Sequence, residues 1–433
     1  SSDLDIYLAD FSVRFDGSSD FGSKQRWAPF FSGGLGVNIH NYEFLKGNEI
    51  VNKLKVRASY GRTGKASFPA YAATTMYEAL FDEWYATGFG AVLKALGNNN
   101  LTWEKTDKFN VGIEMQFLNR RLTVDADYYH DKTIDLVNDV SLSQTSGFSS
   151  YKDNMGEVLN RGFELQVRGE VFRNRDWLVA LWGNMADNKN KILKISDSQR
   201  AYNQRVKEFY ENIVNEEYGR YNSKYGVPIS QYEEGQSLTS IWAVKSLGID
   251  PTTGKEIFLN RDGSVSDTWN ATQEVAVGNT EPKFNGSIGF NAAYKQWSLF
   301  AAFQYEWGGQ EYNQTLVDRV ENARIQYQNV DLRVLTDRWK QPGDIAQFKD
   351  IKNADSATMP TSRFVQDKAY LRLSALTLSY DFNREWIKKY LGMNMLRLEA
   401  STRDFINWNS IRQERGLSYP KSWTVDFSIK AQF

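Results

Sequence analysis

Along much of the chain apolar and polar residues alternate one for one. Phe109, Val111, Ile113, Met115 and Phe117 are separated by Asn110, Gly112, Glu114 and Gln116. Leu122, Val124, Ala126 and Tyr128 alternate with Thr123, Asp125, Asp127 and Tyr129, and Phe163, Leu165, Val167 and Val171 with Glu164, Gln166, Arg168 and Glu170. The cleanest segment is the last, where Trp423, Val425, Phe427, Ile429, Ala431 and Phe433 are set against Thr424, Asp426, Ser428, Lys430 and Gln432. Successive side chains of a strand point to opposite faces, so each segment has one apolar and one wet face. About twelve such strands are predicted, at 5–15, 27–38, 53–61, 107–117, 122–132, 161–172, 177–188, 285–294, 297–307, 370–382, 396–405 and 423–433. Each is near the roughly 9–11 residues that cross a bilayer at a tilt.

The connections are sorted by length. Leu118–Arg121, Arg173–Asp176 and the pair Lys295-Gln296 are very short, whereas 62–106, 133–160, 189–284, 308–369 and 406–422 are long. In an up-and-down arrangement the short turns all fall at one end and most long loops at the other; 39–52 and 383–395 lie at the short-turn end but stay modest. Outer-membrane barrels have this asymmetry, with brief periplasmic turns and longer extracellular loops. Aromatic residues mark both strand ends: Phe117, Trp177, Trp297 and Phe433 at the short-turn end, Phe15, Tyr60, Tyr128, Trp307 and Trp423 at the other. Rings at two levels form the interfacial girdles of a membrane barrel. The strand preference of aromatics alone does not explain their clustering at the ends. The expected fold is therefore all-β, a transmembrane antiparallel up-and-down β-barrel wall whose long extracellular loops carry short helices. Helical spacing is expected at 198–225 and again at Glu321–Lys340.

Composition agrees. Aromatics make up 14% of 433 residues, yet mean hydropathy is −0.55. Apolar runs such as Leu178 to Trp182 are about a quarter of the length a membrane helix needs. A net charge of −1 provides no field to gather nucleic acid, so no nucleic-acid partner is expected. With no Cys and two His, disulfides, thiolate metal sites and cysteine nucleophiles are excluded, and no metal or other cofactor is expected.

Candidate chemistry is sparse. Lys55, Arg57, Glu114, Asp125, Asp127, Glu164, Arg168, Glu170, Arg372, Arg397, Glu399, Arg403, Asp426 and Lys430 fall on the wet faces. Asp125 with Asp127 has the composition of a hydrolase acid–base pair, but mixed charges across strands read better as a neutralised, solvated lumen. His130 lacks a second His nearby, and no G-x-S-x-G occurs, so acyl transfer has no support. Asn260-Arg261-Asp262-Gly263-Ser264, with Asp267, resembles an incomplete calcium loop but reads better as an Asp-Gly turn; Asp250-Pro251-Thr252-Thr253-Gly254 is also a turn. Gly33-Gly34-Leu35-Gly36 lies within a strand and implies close approach or bending of the wall. Trp84, Tyr85, Trp242, Trp269 and Tyr312 lie in long loops with no lipid to face. They are the candidate substrate-binding residues, since ring faces stack on sugars or pack peptide side chains. They can equally form small cores of folded loops, the favoured reading for any one of them.

Several strings resemble the SusC/RagA family of TonB-dependent outer-membrane transporters. These are Arg14-Phe15-Asp16-Gly17-Ser18-Ser19 with Phe21-Gly22 and Arg26-Trp27, and Lys55-Val56-Arg57-Ala58-Ser59-Tyr60-Gly61-Arg62-Thr63-Gly64. Leu101-Thr102-Trp103-Glu104-Lys105-Thr106 and Asn154-Met155-Gly156-Glu157-Val158-Leu159-Asn160-Arg161-Gly162-Phe163-Glu164 follow in order. Thr361-Ser362-Arg363-Phe364-Val365, Tyr370-Leu371-Arg372-Leu373 and Tyr419-Pro420-Lys421 complete the set, which spans the chain. The resemblance implies a barrel of the 22-strand size with a plugged lumen, of which residues 1–433 are the C-terminal portion, the plug and N-terminal strands being absent from this chain. A twelve-strand sheet would leave two unpaired edges in lipid, so an N-terminal remainder is expected to close it. The implied function is TonB-dependent import of a nutrient, an oligosaccharide or oligopeptide, not catalysis. The implied partners are a SusD-like surface lipoprotein as lid, TonB acting through the missing plug, outer-membrane lipid and a second copy in a dimer of the SusCD type. The alternatives are a structural or adhesive surface barrel that transports nothing, and a membrane-embedded hydrolase.

Overall fold

The computed structural model describes residues 6–18, 26–65, 73–85, 88–98, 100–141, 150–154, 156–215, 226–322, 330–353, 358–382, 384–412 and 423–433. Twelve strands form one continuous antiparallel wall in chain order. They are β1 (Tyr7–Gly17), β2 (Trp27–Asn38), β3 (Val51–Lys65), β4 (Glu104–Phe117), β5 (Leu122–Ile134) and β6 (Glu157–Arg173). They continue as β7 (Trp177–Ala186), β8 (Phe284–Tyr294), β9 (Trp297–Tyr312), β10 (Val365–Asp381), β11 (Met395–Thr402) and β12 (Val425–Gln432). All twelve expected strands are present, several extended at the long-loop end, and Gly33, Gly34 and Gly36 lie inside β2 as expected. Two short strands, Lys189–Lys194 on β6 and Asn407–Asn409 on β10, complete a 14-stranded sheet. Among the described residues β1 pairs only with β2, and β12 only with β11.

Register turns local alternation into rows across the wall. Lys55, Glu114, Asp125, Gln166, Asn184, Ser287, Gln304 and Arg372 stand side by side on eight successive strands. One residue along, Val56, Ile113, Ala126, Leu165, Met185, Gly286, Tyr305 and Leu371 form the matching row on the opposite face. A one-residue slip would exchange the two faces, so register and sidedness are set together. The apolar face is open rather than packed into a core: Ile113, Ile288, Val425 and Phe427 are 37%, 47%, 56% and 82% exposed. The girdle residues Phe15, Tyr60, Trp177, Trp297, Trp307 and Trp423 are exposed as well.

The wet face pairs its charges across strands. Arg57 on β3 grips Asp127 on β5 at 2.6 and 2.8 Å and approaches Glu114 on β4 at 3.4 Å. Lys53 reaches Glu114 at 2.6 Å, Arg397 holds Asp381 at 2.6 Å, and Lys430 meets Glu399 at 2.9 Å. This is the neutralised lining expected from the sequence. His130 lies in register with Phe109 and Arg161.

Helix α1 spans Asp197–Asn215, where helical spacing is expected at 198–225; 216–225 lie outside the described residues. Two connections differ from expectation. Glu321–Lys340 is not one helix: a π-helical turn at Val317–Glu321 and a short helix at Arg333–Thr336 are separated by 323–329, outside the described residues. Val317, Val320 and Val334 collapse instead onto Phe348 and Phe364, so tertiary packing overrides the helical spacing. A second helix, α2 (Arg384–Leu391), fills the connection at 383–395, where the sequence reading foresaw none.

Candidate functional site

The long-loop end is built up from the tops of the strands. Past Ala186 the chain continues upward along β6, with Asn160 paired to Asn190 and Arg161 to Lys189. Asn160 Oδ1 accepts from Asn190 Nδ2 at 2.7 Å, and Asn190 Oδ1 accepts in turn from the backbone N–H of Leu238 at 2.8 Å. Gly162 permits this junction, because a Cβ there would collide with the carbonyl oxygen of Asp187. Gly156 sits at φ +57° against the Lys194 carbonyl, where a side chain has neither the conformation nor the room. Asn154 ties the next connections together, accepting from the Thr102 N–H at 2.8 Å and donating to the carbonyls of Thr102 and Asp135 at 3.0 and 2.8 Å. The Asn154–Glu164 motif is therefore the footing of the extracellular structure. Trp103 of the 101–106 motif is buried edge-to-face on Phe30 at 5.6 Å.

Two long loops, 187–283 and 313–364, fold on one another into a cap. Helix α1 opens with a reciprocal cap: Ser196 N–H donates to Gln199 Oε1 at 2.9 Å and Gln199 N–H to Ser196 Oγ at 3.2 Å. Its buried face, Val206 and Tyr210, packs on Ala271 with Tyr202, Ile229, Trp269 and Met359. Residues 244 and 361 form a parallel bridge between the loops. Trp269 Nε1 donates to the Pro360 carbonyl and Trp339 Nε1 to the Pro251 carbonyl, each at 2.9 Å.

The strongest link is ionic. Arg363 Nη2 lies 2.9 Å from Glu256 and 2.6 Å from Glu321, with the three side chains 10%, 9% and 0% exposed. Thr361 Oγ1 donates to Glu256 at 2.6 Å, and the Arg363 guanidinium stands 4.4 Å over the Phe364 ring. Arg338, also buried, donates to the carbonyls of Val334, Lys349 and Glu321 at 3.1, 2.8 and 3.1 Å. Charged residues are rarely buried unless paired. Here both loops meet at the Thr361–Val365 motif, which opens β10.

The sequence-derived binding candidates divide. Trp242 is 1% exposed and Tyr312 is half-buried edge-on to Phe364. Both line one cavity of about 450 Å³ between the loops, with Ile229, Thr280 and Gln314. Trp269 is half-buried, edge-on to Tyr210 at 5.4 Å, and borders a separate cavity of about 300 Å³ with Glu211 and Asn260. Trp84 and Tyr85 lie at the end of the strand Met76–Tyr85, and their side chains are outside the described residues. The sequence reading missed Glu256, Glu321 and Arg363 as a unit; the signal was a motif arginine in a loop otherwise destined for burial. Asn260–Ser264 is the expected turn, with Asp262 Oδ1 taking the Ser264 N–H and hydroxyl at 2.9 and 2.6 Å. Among the described residues no group of three or more His, Cys, Asp or Glu could hold a metal.

Among the groups of the cap that titrate away from their usual ranges are Glu274 and Lys349. Burial pushes Glu274 up to about 8 and Lys349 down to about 8. Folded Glu274 keeps a proton that the unfolded chain has lost, so cap stability falls as pH rises from about 4.3 to 8. Folded Lys349 has lost a proton that the unfolded chain keeps, so stability recovers between about 8 and 10.4. Hydrogen exchange of the cap across pH, corrected for intrinsic rates, should show its weakest protection near pH 8. In Glu274→Gln the descending limb should flatten; an unchanged limb would show that Glu274 does not set it.

Residues 3–401 match the family described as "TonB dependent receptor-like, beta-barrel". TonB-dependent receptor P3 of Formosa agariphila is 27% identical over 409 residues, covering 93% of this chain and 39% of the relative. TonB-dependent receptor SusC of Bacteroides thetaiotaomicron is 34% identical over 203 residues, covering 45% of this chain and 20% of the relative. The RagAB peptide importer in its open-open state superposes with a TM-score of 0.77 at 23% identity, over 99% of this chain and 45% of that one. The chain thus spans less than half the length of each of these proteins. With wall, girdles and motifs in agreement, the chain belongs to the TonB-dependent receptor-like β-barrel family of the outer membrane.

Proposed function

We propose that residues 1–433 are the C-terminal portion of a TonB-dependent transporter barrel that imports a nutrient, an oligosaccharide or oligopeptide, across the outer membrane. An N-terminal remainder carrying the plug closes the wall between β1 and β12, whose free edges would otherwise meet lipid. TonB acts through that plug. The observation that carries the reading is the cap: two loops clamped by Arg363 between Glu256 and Glu321 make a preorganised extracellular surface. Such a surface suits a SusD-like lipoprotein seated as a lid, and the assembly is a dimer of the SusCD type. RagAB is a peptide importer by name, which supports a peptide as one substrate class. Within the cap, the half-buried Trp269 and Tyr312 border cavities and are the candidates for ligand contact, Trp242 backs the cavity beside Tyr312, and Trp84 and Tyr85 are further candidates.

The test is uptake by cells carrying or lacking the full-length protein, supplied with labelled oligosaccharides or oligopeptides. Import of one class should depend on the protein and collapse with a protonophore, since TonB draws on the inner-membrane gradient. Equal uptake in the deletion strain for every compound would favour the structural or adhesive barrel.

A further inference from the structure

Helix α2 sets its connection apart from the tight turns at the same end of the wall. Ile387 is 1% exposed and holds one side, while Trp386, Tyr390 and Leu391 are 48%, 63% and 44% exposed. Rings run in file from the wall onto the helix. Trp297 lies 4.8 Å from Tyr380, Tyr380 5.0 Å from Phe382, Phe382 is stacked at 6.2 Å on Trp386, and Trp386 lies 5.8 Å from Tyr390. The file continues the lower girdle, where Trp177 meets Tyr294 at 4.4 Å. Exposed cations stand at the same end of the wall: Lys388 and Lys389 in the last turn of α2, and Lys295 in the β8–β9 turn. Lys389 Nζ is 5.2 Å over Tyr390, and Lys295 Nζ is 5.3 Å over Tyr294.

Directly above α2 the apolar face is indented. A groove of about 390 Å³ crosses β9 to β12, lined by Trp297, Leu378, Tyr380, Leu398, Phe427 and Ile429. Trp297 and Tyr380 belong both to this groove and to the ring file. We propose that α2 and the groove together form a site for an anionic phospholipid of the periplasmic leaflet, with an acyl chain in the groove and the phosphate held by Lys388, Lys389 and Lys295. A helix with apolar rings on one side and lysines at its end is suited to lie at the headgroup boundary. Lysines there attract anionic lipid, and their stems run along apolar surface. A lipid is favoured over a protein partner because the groove is continuous with the exposed face of the wall and the cations stand at the lower-girdle end. The site depends on membrane placement alone, so it stands whether or not the barrel transports.

Native mass spectrometry of the full-length protein in neutral detergent, titrated with dioleoyl phosphatidylglycerol or dioleoyl phosphatidylcholine, tests this. The first phosphatidylglycerol adduct should form at roughly tenfold lower lipid concentration than the phosphatidylcholine adduct. Lys388→Glu with Lys389→Glu should erase that preference, and Lys388→Gln with Lys389→Gln should reduce it if the reversed charges prevent folding. Ala400 also lines the groove, and Ala400→Phe, which fills it, should weaken both lipids severalfold while keeping their ratio. An unchanged ratio in both lysine variants overturns the proposal. So does an Ala400→Phe variant that alters the number of protein copies but not the lipid adducts, which would assign the groove to a second copy.

Discussion

Arg363→Ala will release the two loops of the cap from one another while leaving the wall folded. The substitution strands Glu256 and Glu321, 9% and 0% exposed, without their cation. Breaking a buried ion pair by removing one partner costs about 3–5 kcal/mol, because the remaining charge stays desolvated. In hydrogen exchange on the full-length protein, peptides covering 240–259 and 313–322 should lose about a hundredfold or more of their protection. Peptides from β5 and β6 should not change. Replacing the set together, Arg363→Met with Glu256→Gln and Glu321→Gln, should restore part of the loss, since neither carboxylate is left charged, although Arg338 and Lys349 lose the Glu321 charge. Protection within about threefold of the parent in Arg363→Ala would remove the clamp from the account.

The second large effect separates the two faces of one strand. Ile288→Arg places a guanidinium midway along β8 on the open apolar face, where the side chain is 47% exposed. Arginine at the bilayer midplane of a barrel costs about 2–4 kcal/mol. Ser287→Arg, one residue away, enters the wet row between Asn184 and Gln304 and should cost little. Denaturant unfolding of the full-length barrel in liposomes measures both. Equal costs would mean that the alternation does not sort lipid from lumen.

The wall was legible because its information is local. A period of two over Phe109–Phe117 states which side chains share a face, and the tight turn at Leu118–Arg121 then aligns Phe117 with Leu122. The cap was not legible in that way. Glu256, Glu321 and Arg363 come from distant points of the chain, and no local period announces their meeting. Spacing within Glu321–Lys340 suggested one helix, but Val334 packs on Phe348 and Phe364 instead. The loop aromatics were readable only as a choice between ligand contact and core. Trp242 takes the buried side of that choice, and Trp269 is shared between packing and surface. Helix α2 escaped notice because eight residues at a modest connection carry too few turns to show a period.

Strand β6 has 17 residues, roughly 40 Å of height at the usual rise and tilt of barrel strands. The greasy band of such a barrel is only about 25 Å tall. The surplus stands clear of the headgroups as a parapet, and its upper edge, Glu157–Arg161, is where the strand Lys189–Lys194 is fastened. The extracellular architecture thus rests on masonry rather than on the membrane. Its sequence can drift or be exchanged between homologous barrels without disturbing insertion, provided that the footing at Asn160 and Gly162 is kept.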